Sequence, residues 1–94
     1  MNRAQVAEYL EKEGLRFSGR GTRFVTEILE LLDDPEAEYS MMELYTKVAE
    51  AHNTTAKYVE RNIRYELIKT GKNAKSKEFI AKAAYKLGAR GWVI

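Results

Sequence analysis

Ninety-four residues, 45% of them hydrophobic and 32% charged, fit one globular domain with a small core and exclude a disordered chain. The absence of cysteine excludes disulfides, thiolate metal sites and a cysteine nucleophile. A net charge of +2 conceals an asymmetry, −5 over residues 1–52 and +7 over residues 53–94, which suits a polyanion on one face.

The predicted elements are helices. The first covers about residues 4–13, with Val6, Tyr9 and Leu10 on one face and Gly14 as its stop. Ser18-Gly19-Arg20-Gly21 reads as a loop, after which Thr22 caps a second helix reaching about residue 32. Phe24, Val25, Ile28, Leu29 and Leu32 form its apolar stripe. Asp33, Asp34, Glu36 and Glu38 surround the single proline, Pro35, in an acidic loop without EF-hand spacing. Ser40 and Glu43 form a capping box that opens a third helix, lined inward by Met41, Leu44, Tyr45 and Val48. The fourth helix spans about residues 56–70 and ends at Gly71. The fifth starts near Ser76, turns Phe79, Ile80, Ala83, Ala84 and Leu87 inward, and stops at Gly88. The tail, residues 89–94, leaves two options: a short strand in which Trp92 and Ile94 alternate, or a segment tucked onto the core. The expected fold is all-α, a single domain over residues 1–94 with about five helices around a helix-turn-helix. No apolar run approaches the roughly 18 residues of a membrane span, and the N-terminus is not a signal peptide. A cytoplasmic protein is therefore expected.

Residues 48–68 carry the functional signal. Two helices that cross steeply need a small residue at the contact, and Ala49 supplies it. The turn between them needs a residue tolerant of positive φ, and Asn53 is the best choice short of glycine. Thr55 then caps the next helix, and Val59 and Ile63 pin it to the domain. This is the grammar of a helix-turn-helix. On a wheel of about 100° per residue, Val59, Ile63 and Leu67 fall within about 60° of Ala56 as a core stripe. Lys57, Arg61 and Arg64 share another face, with Tyr65 beside them and Glu60 at its edge. Arginine binds guanine O6 and N7 bidentately and glutamate accepts from cytosine N4, so this face suits base reading in the major groove.

Leu44-Tyr45, Val48-Ala49, Asn53-Thr54-Thr55-Ala56, Val59-Glu60-Arg61 and Ile63-Arg64 together resemble the C-terminal DNA-binding domain of the master sporulation response regulator of endospore-forming bacteria. Glu13-Gly14, Gly21, Glu78-Phe79-Ile80-Ala81 and Lys86-Leu87 extend the likeness over most of the chain. The resemblance implies a bacterial transcription regulator, a helical domain whose copies sit in tandem on double-stranded DNA or act as a homodimer. It implies that Glu60, Arg61 and Arg64 read bases. Flanking contacts are assigned to Thr54, Thr55, Lys57, Tyr58 and Tyr65, with Arg20 and Lys72 beside them. Tyr58 and Tyr65 stand where the family has arginine and histidine, and the stretch over residues 71–75 is shorter than the family's. Ninety-four residues also leave no room for a receiver domain, so phosphorylation control is not implied.

Other signals are weaker. Gly19-Arg20-Gly21 lacks the Lys-Ser/Thr ending of a nucleotide-binding loop. Lys69, Lys72, Lys75 and Lys77 can grip phosphates or form a solvated lysine loop. His52, the only histidine, reads as a turn residue, and Tyr9, Tyr39, Tyr45 and Tyr85 as core or interface residues. No paired carboxylate, nucleophile-base or metal-ligand constellation emerges, so no enzyme, cofactor or metal is expected. The competing reading is a helical protein-interaction module on the same fold, an anti-regulator or a dimerisation adaptor. The acidic N-terminal half and Met41-Met42 motivate it, and a large exposed apolar patch, with Arg61 and Arg64 locked in intramolecular ion pairs, would favour it.

Overall fold

The computed structural model describes residues 1–94. Five helices run in the order α1 (Arg3–Lys12), α2 (Arg20–Leu31), α3 (Met41–Ala51), α4 (Ala56–Lys69) and α5 (Ser76–Leu87). Two short strands flank the last three helices, β1 (Glu38–Tyr39) and β2 (Trp92–Val93). No helix is long and apolar enough to cross a membrane.

Local chemistry fixes the helix ends. Asn2 caps α1 in a reciprocal box with Gln5, and Ser40 caps α3 in the expected box with Glu43. Gly14, Gly71 and Gly88 take φ of +94°, +75° and +79° just beyond α1, α4 and α5. Each helix turns an apolar stripe inward, and the stripes meet in a core of 19 buried side chains to which all five contribute. Val6 and Leu10 come from α1, and Val25, Ile28 and Leu29 from α2. Leu44 and Val48 come from α3, Val59 and Ile63 from α4, and Phe79, Ile80 and Ala83 from α5.

Two expectations are corrected. The second helix begins at Arg20, inside the stretch read as a loop, and Gly19 is its N-cap. Thr22 lies within the helix, buried, and its hydroxyl has no hydrogen-bond partner. The reason is tertiary. A Cβ at Gly19 would meet the Glu66 carboxylate, and one at Gly21 would meet the backbone carbonyl of Asn62. The Gly-x-Gly run therefore lets α2 press its first turn onto α4, the most extensive helix contact in the molecule. The acidic stretch is the second correction, since its last residue, Glu38, belongs to β1 rather than to a loop.

The tail takes the first of its two options. Trp92 N–H donates to the Ala37 carbonyl and Ile94 N–H to the Tyr39 carbonyl, both at 2.9 Å, so β2 pairs in parallel with β1. Gly91 N–H donates to the carbonyl of Leu32 at 2.8 Å, which fastens the tail below the end of α2.

Candidate nucleic-acid interface

The α3–turn–α4 unit is built from short-range bonds that its sequence dictates. His52 ends α3, and Asn53 takes φ +53°, the only positive φ outside glycine. This left-handed step reverses the chain and lets Thr54 N–H donate back to the Ala49 carbonyl at 2.9 Å. Thr55, extended at φ −109°, accepts the Tyr58 N–H on its hydroxyl at 3.1 Å and starts α4. Ala49 is buried where α3 meets its neighbours, so the close crossing has room.

Longer-range contacts fix the unit to α2. His52 Nε2 lies 2.7 and 2.8 Å from the two carboxylate oxygens of Glu27. An ionised carboxylate only accepts, so this nitrogen carries the proton and donates. The Phe24 ring meets His52 edge-on at 5.2 Å and Tyr58 at 6.1 Å between centroids. Arg20, in the first turn of α2, donates from Nη1 to the Tyr58 hydroxyl. Three side chains from α2, Arg20, Phe24 and Glu27, thus brace the turn and the first turn of α4.

The rear of α4 is held by a buried carboxylate that the sequence reading did not single out. Glu66 is 1% exposed. Its Oε2 accepts from the Arg16 backbone N–H and from Nε, both at 3.1 Å, and its Oε1 accepts from Nη2 at 2.9 Å. These bonds from Arg16 hold the Glu66 carboxyl below the usual glutamate value, against the upward push of burial. On the wheel, Glu66 sits beside Val59 at the flank of the apolar stripe. A charge in that position was the available signal, with Arg16 as the unforeseen partner.

The expected base-reading residues occupy the outer side of α4. Arg61 and Arg64 are exposed and Glu60 is half-buried. Arg64 Nη1 contacts Glu60 Oε1 at 3.1 Å, whereas Arg61 takes part in no ion pair. Lys57 is exposed on the same face. Tyr65 is exposed, and Lys69 Nζ lies 4.5 Å from its ring centroid. Thr54 is half-buried in the turn and Thr55 exposed at the cap. Tyr58 is half-buried and points its hydroxyl at Arg20, so these two form one unit rather than two separate contacts. Lys72 lies beyond the end of α4, where it pairs with Glu13 at 3.4 Å.

The family model described as sporulation initiation factor Spo0A C terminal matches residues 6–88. No curated protein and no solved structure matches the chain. The matched span takes in α2 to α5 and most of α1, and ends before β2.

Proposed function

The chain belongs to this family of C-terminal DNA-binding effector domains of a sporulation regulator, and from that premise we propose that it binds double-stranded DNA sequence-specifically, with α4 in the major groove, as a cytoplasmic transcription regulator. Arg61 and Arg64 read guanine, and Glu60 reads cytosine or orients Arg64. Thr54, Thr55 and Lys57 meet sugar and phosphate beside the first turn of α4, where unpaired N–H groups and the helix dipole favour anions, and Tyr65 makes a flanking contact further along the helix. Tyr58 and Arg20 act together at the same phosphate track, and Lys72 grips the backbone from the other end of α4. Two copies engage adjacent sites, in tandem or as a homodimer.

The observation that carries this reading is the free guanidinium of Arg61, on the exposed face of a helix whose other sides are bolted to the domain. The Glu60–Arg64 pair, with exposed apolar side chains such as Phe17, Met42, Tyr85 and Trp92, favours an interaction module instead. An exposed pair at this spacing holds by only about 0.3–0.5 kcal/mol, so DNA can displace it.

The test is selection from a randomised duplex library at two salt concentrations, with the wild type and Arg61→Ala in parallel. The proposal expects an enriched motif containing guanine that is lost in Arg61→Ala, while the thermal midpoint is unchanged. Salt-sensitive binding without a motif would reduce the domain to non-specific DNA binding. Failure to bind at either salt would leave the interaction module as the better reading.

A further inference from the structure

Arg20 and Arg23 lie about one turn apart on α2, and with His52, Thr54 and Tyr58 they line a cavity of about 300 Å³ at the turn between α3 and α4. Phe24, which is buried, supplies the apolar part of the lining. Both guanidiniums are exposed, and they differ in what they touch. Arg20 forms no ion pair, and its Nη1 donates to the neutral hydroxyl of Tyr58. Arg23 Nε lies 3.4 Å from a carboxylate oxygen of Glu27, whose two oxygens also accept from His52 at 2.7 and 2.8 Å. One carboxylate thus stands against two guanidiniums, and a positive charge at the cavity is left without a partner.

The spare hydrogen-bonding capacity here is mostly donor. The Tyr58 oxygen accepts from Arg20, so its own proton is free to donate. Arg23 uses only Nε on Glu27, which leaves its Nη groups for another acceptor. Thr54 adds a hydroxyl, and the N–H groups of Ala56 and Lys57, which open α4, make no backbone bond. A compact anion that offers only acceptors answers all of these donors, and a phosphate is such a group. Position chooses its source. Lys57 and Arg61 flank Tyr58 on the outer side of α4, so a phosphate in this cavity lies beside the groove that α4 enters.

We propose that Arg20, Arg23, Thr54 and Tyr58 seat one phosphate of the DNA backbone, and that the Glu27 carboxylate holds the place of that phosphate in the free protein. The distances say which partner Glu27 gives up. Its bond to Arg23 is the longer one, made by a side chain that is 68% exposed, and such a pair is weak. Its bonds to His52 are short and half-buried, so they persist and keep the turn braced while Arg23 moves to the phosphate. The inference rests on α4 entering the major groove. It adds to that reading Arg23 as a phosphate ligand, Glu27 as an internal competitor, and His52 as the residue that positions Glu27.

The experiment titrates the full chain, Arg23→Ala and Glu27→Gln with a duplex enriched by selection and with a duplex of unrelated sequence, over a series of salt concentrations. Arg23→Ala should weaken both duplexes about tenfold at low salt. It should also make the slope of log affinity against log salt shallower by about one, the mark of one lost phosphate contact. Glu27→Gln keeps an oxygen for His52 and frees Arg23, so affinity should rise by about threefold. A single methylphosphonate, moved along the duplex, should weaken the wild type at one position and leave Arg23→Ala unchanged there. Unchanged thermal midpoints verify that both variants keep the fold. Inorganic phosphate should give no saturable shift of the Thr54 and Tyr58 amides in the millimolar range. An unaltered salt slope in Arg23→Ala, equal methylphosphonate penalties in both proteins, or weaker binding by Glu27→Gln would overturn the proposal. Saturation by inorganic phosphate, with Arg23→Ala binding DNA as the wild type does, would make the occupant a free phosphate and overturn it too. Any of these beside sequence-selective binding by the wild type would leave base reading by α4 intact, whereas no DNA binding at all would reject both.

Discussion

Two glutamates on α4 are paired with arginine, and they behave as opposites. Glu60 meets Arg64 at 3.1 Å with side chains 32% and 58% exposed, so water and salt compete for both partners. Glu66 meets Arg16 at 2.9 Å with its own side chain 2% exposed, and three donors from one residue compensate for its burial. The first pair can be traded for a ligand with little loss. The second cannot be broken without stranding a charge. One helix thus has an exchangeable face and an anchored face, which is what reading a ligand from a fixed orientation requires.

The largest effect expected from breaking the anchored side is Gly21→Ala. The new methyl group would press on the Asn62 carbonyl, which is backbone and cannot swing away. We expect a loss of about 3 kcal/mol, and with it a fall in thermal midpoint of roughly 12–24 °C for a domain of this size. Glu66→Gln should come next, at about 1–3 kcal/mol near neutral pH. It also sharpens the comparison through pH. The carboxyl of Glu66 titrates below its ordinary value of 4.5 in the folded state, so its stabilisation is complete above that value. It is lost as pH falls through the lower, folded-state value. Denaturant midpoints measured down the acid range should therefore drop more steeply in the wild type than in Glu66→Gln. Parallel curves would mean that the pair contributes nothing. At the bottom of the scale, Glu60→Gln should change stability by no more than about 0.5 kcal/mol. In a binding titration it should alter which base is preferred opposite Arg64 rather than whether DNA is bound.

The anchored and exchangeable faces were not equally legible in the sequence. Asn53, Thr55 and the Ser40–Glu43 box act over two to four residues, and the sequence reading found each of them. The apolar stripes were equally plain, because helical periodicity is a local property. The Gly19-Arg20-Gly21 run looked like a loop because its reason lies on α4, more than forty residues further along the chain. The Arg16–Glu66 pair spans 50 residues and the Glu27–His52 contact 25, distances over which spacing carries no message. The outward placement of Lys57, Arg61 and Arg64 follows from the same periodicity that buries Val59 and Ile63. Which bases the proposed readers Arg61 and Arg64 would meet does not, since that depends on a partner outside the chain.

The parallel pairing of β1 with β2 has a consequence for how the molecule comes together. Glu38 must find Trp92 across three intervening helices, so the loop it closes is among the longest in the chain. Such contacts carry the entropy of ring closure before they return any enthalpy. The ladder should therefore form after the helices have collapsed, and open before them, as a separate unit held by the Gly91, Trp92 and Ile94 amides. Native-state hydrogen exchange should find those three amides opening well below the free energy that unfolds the core.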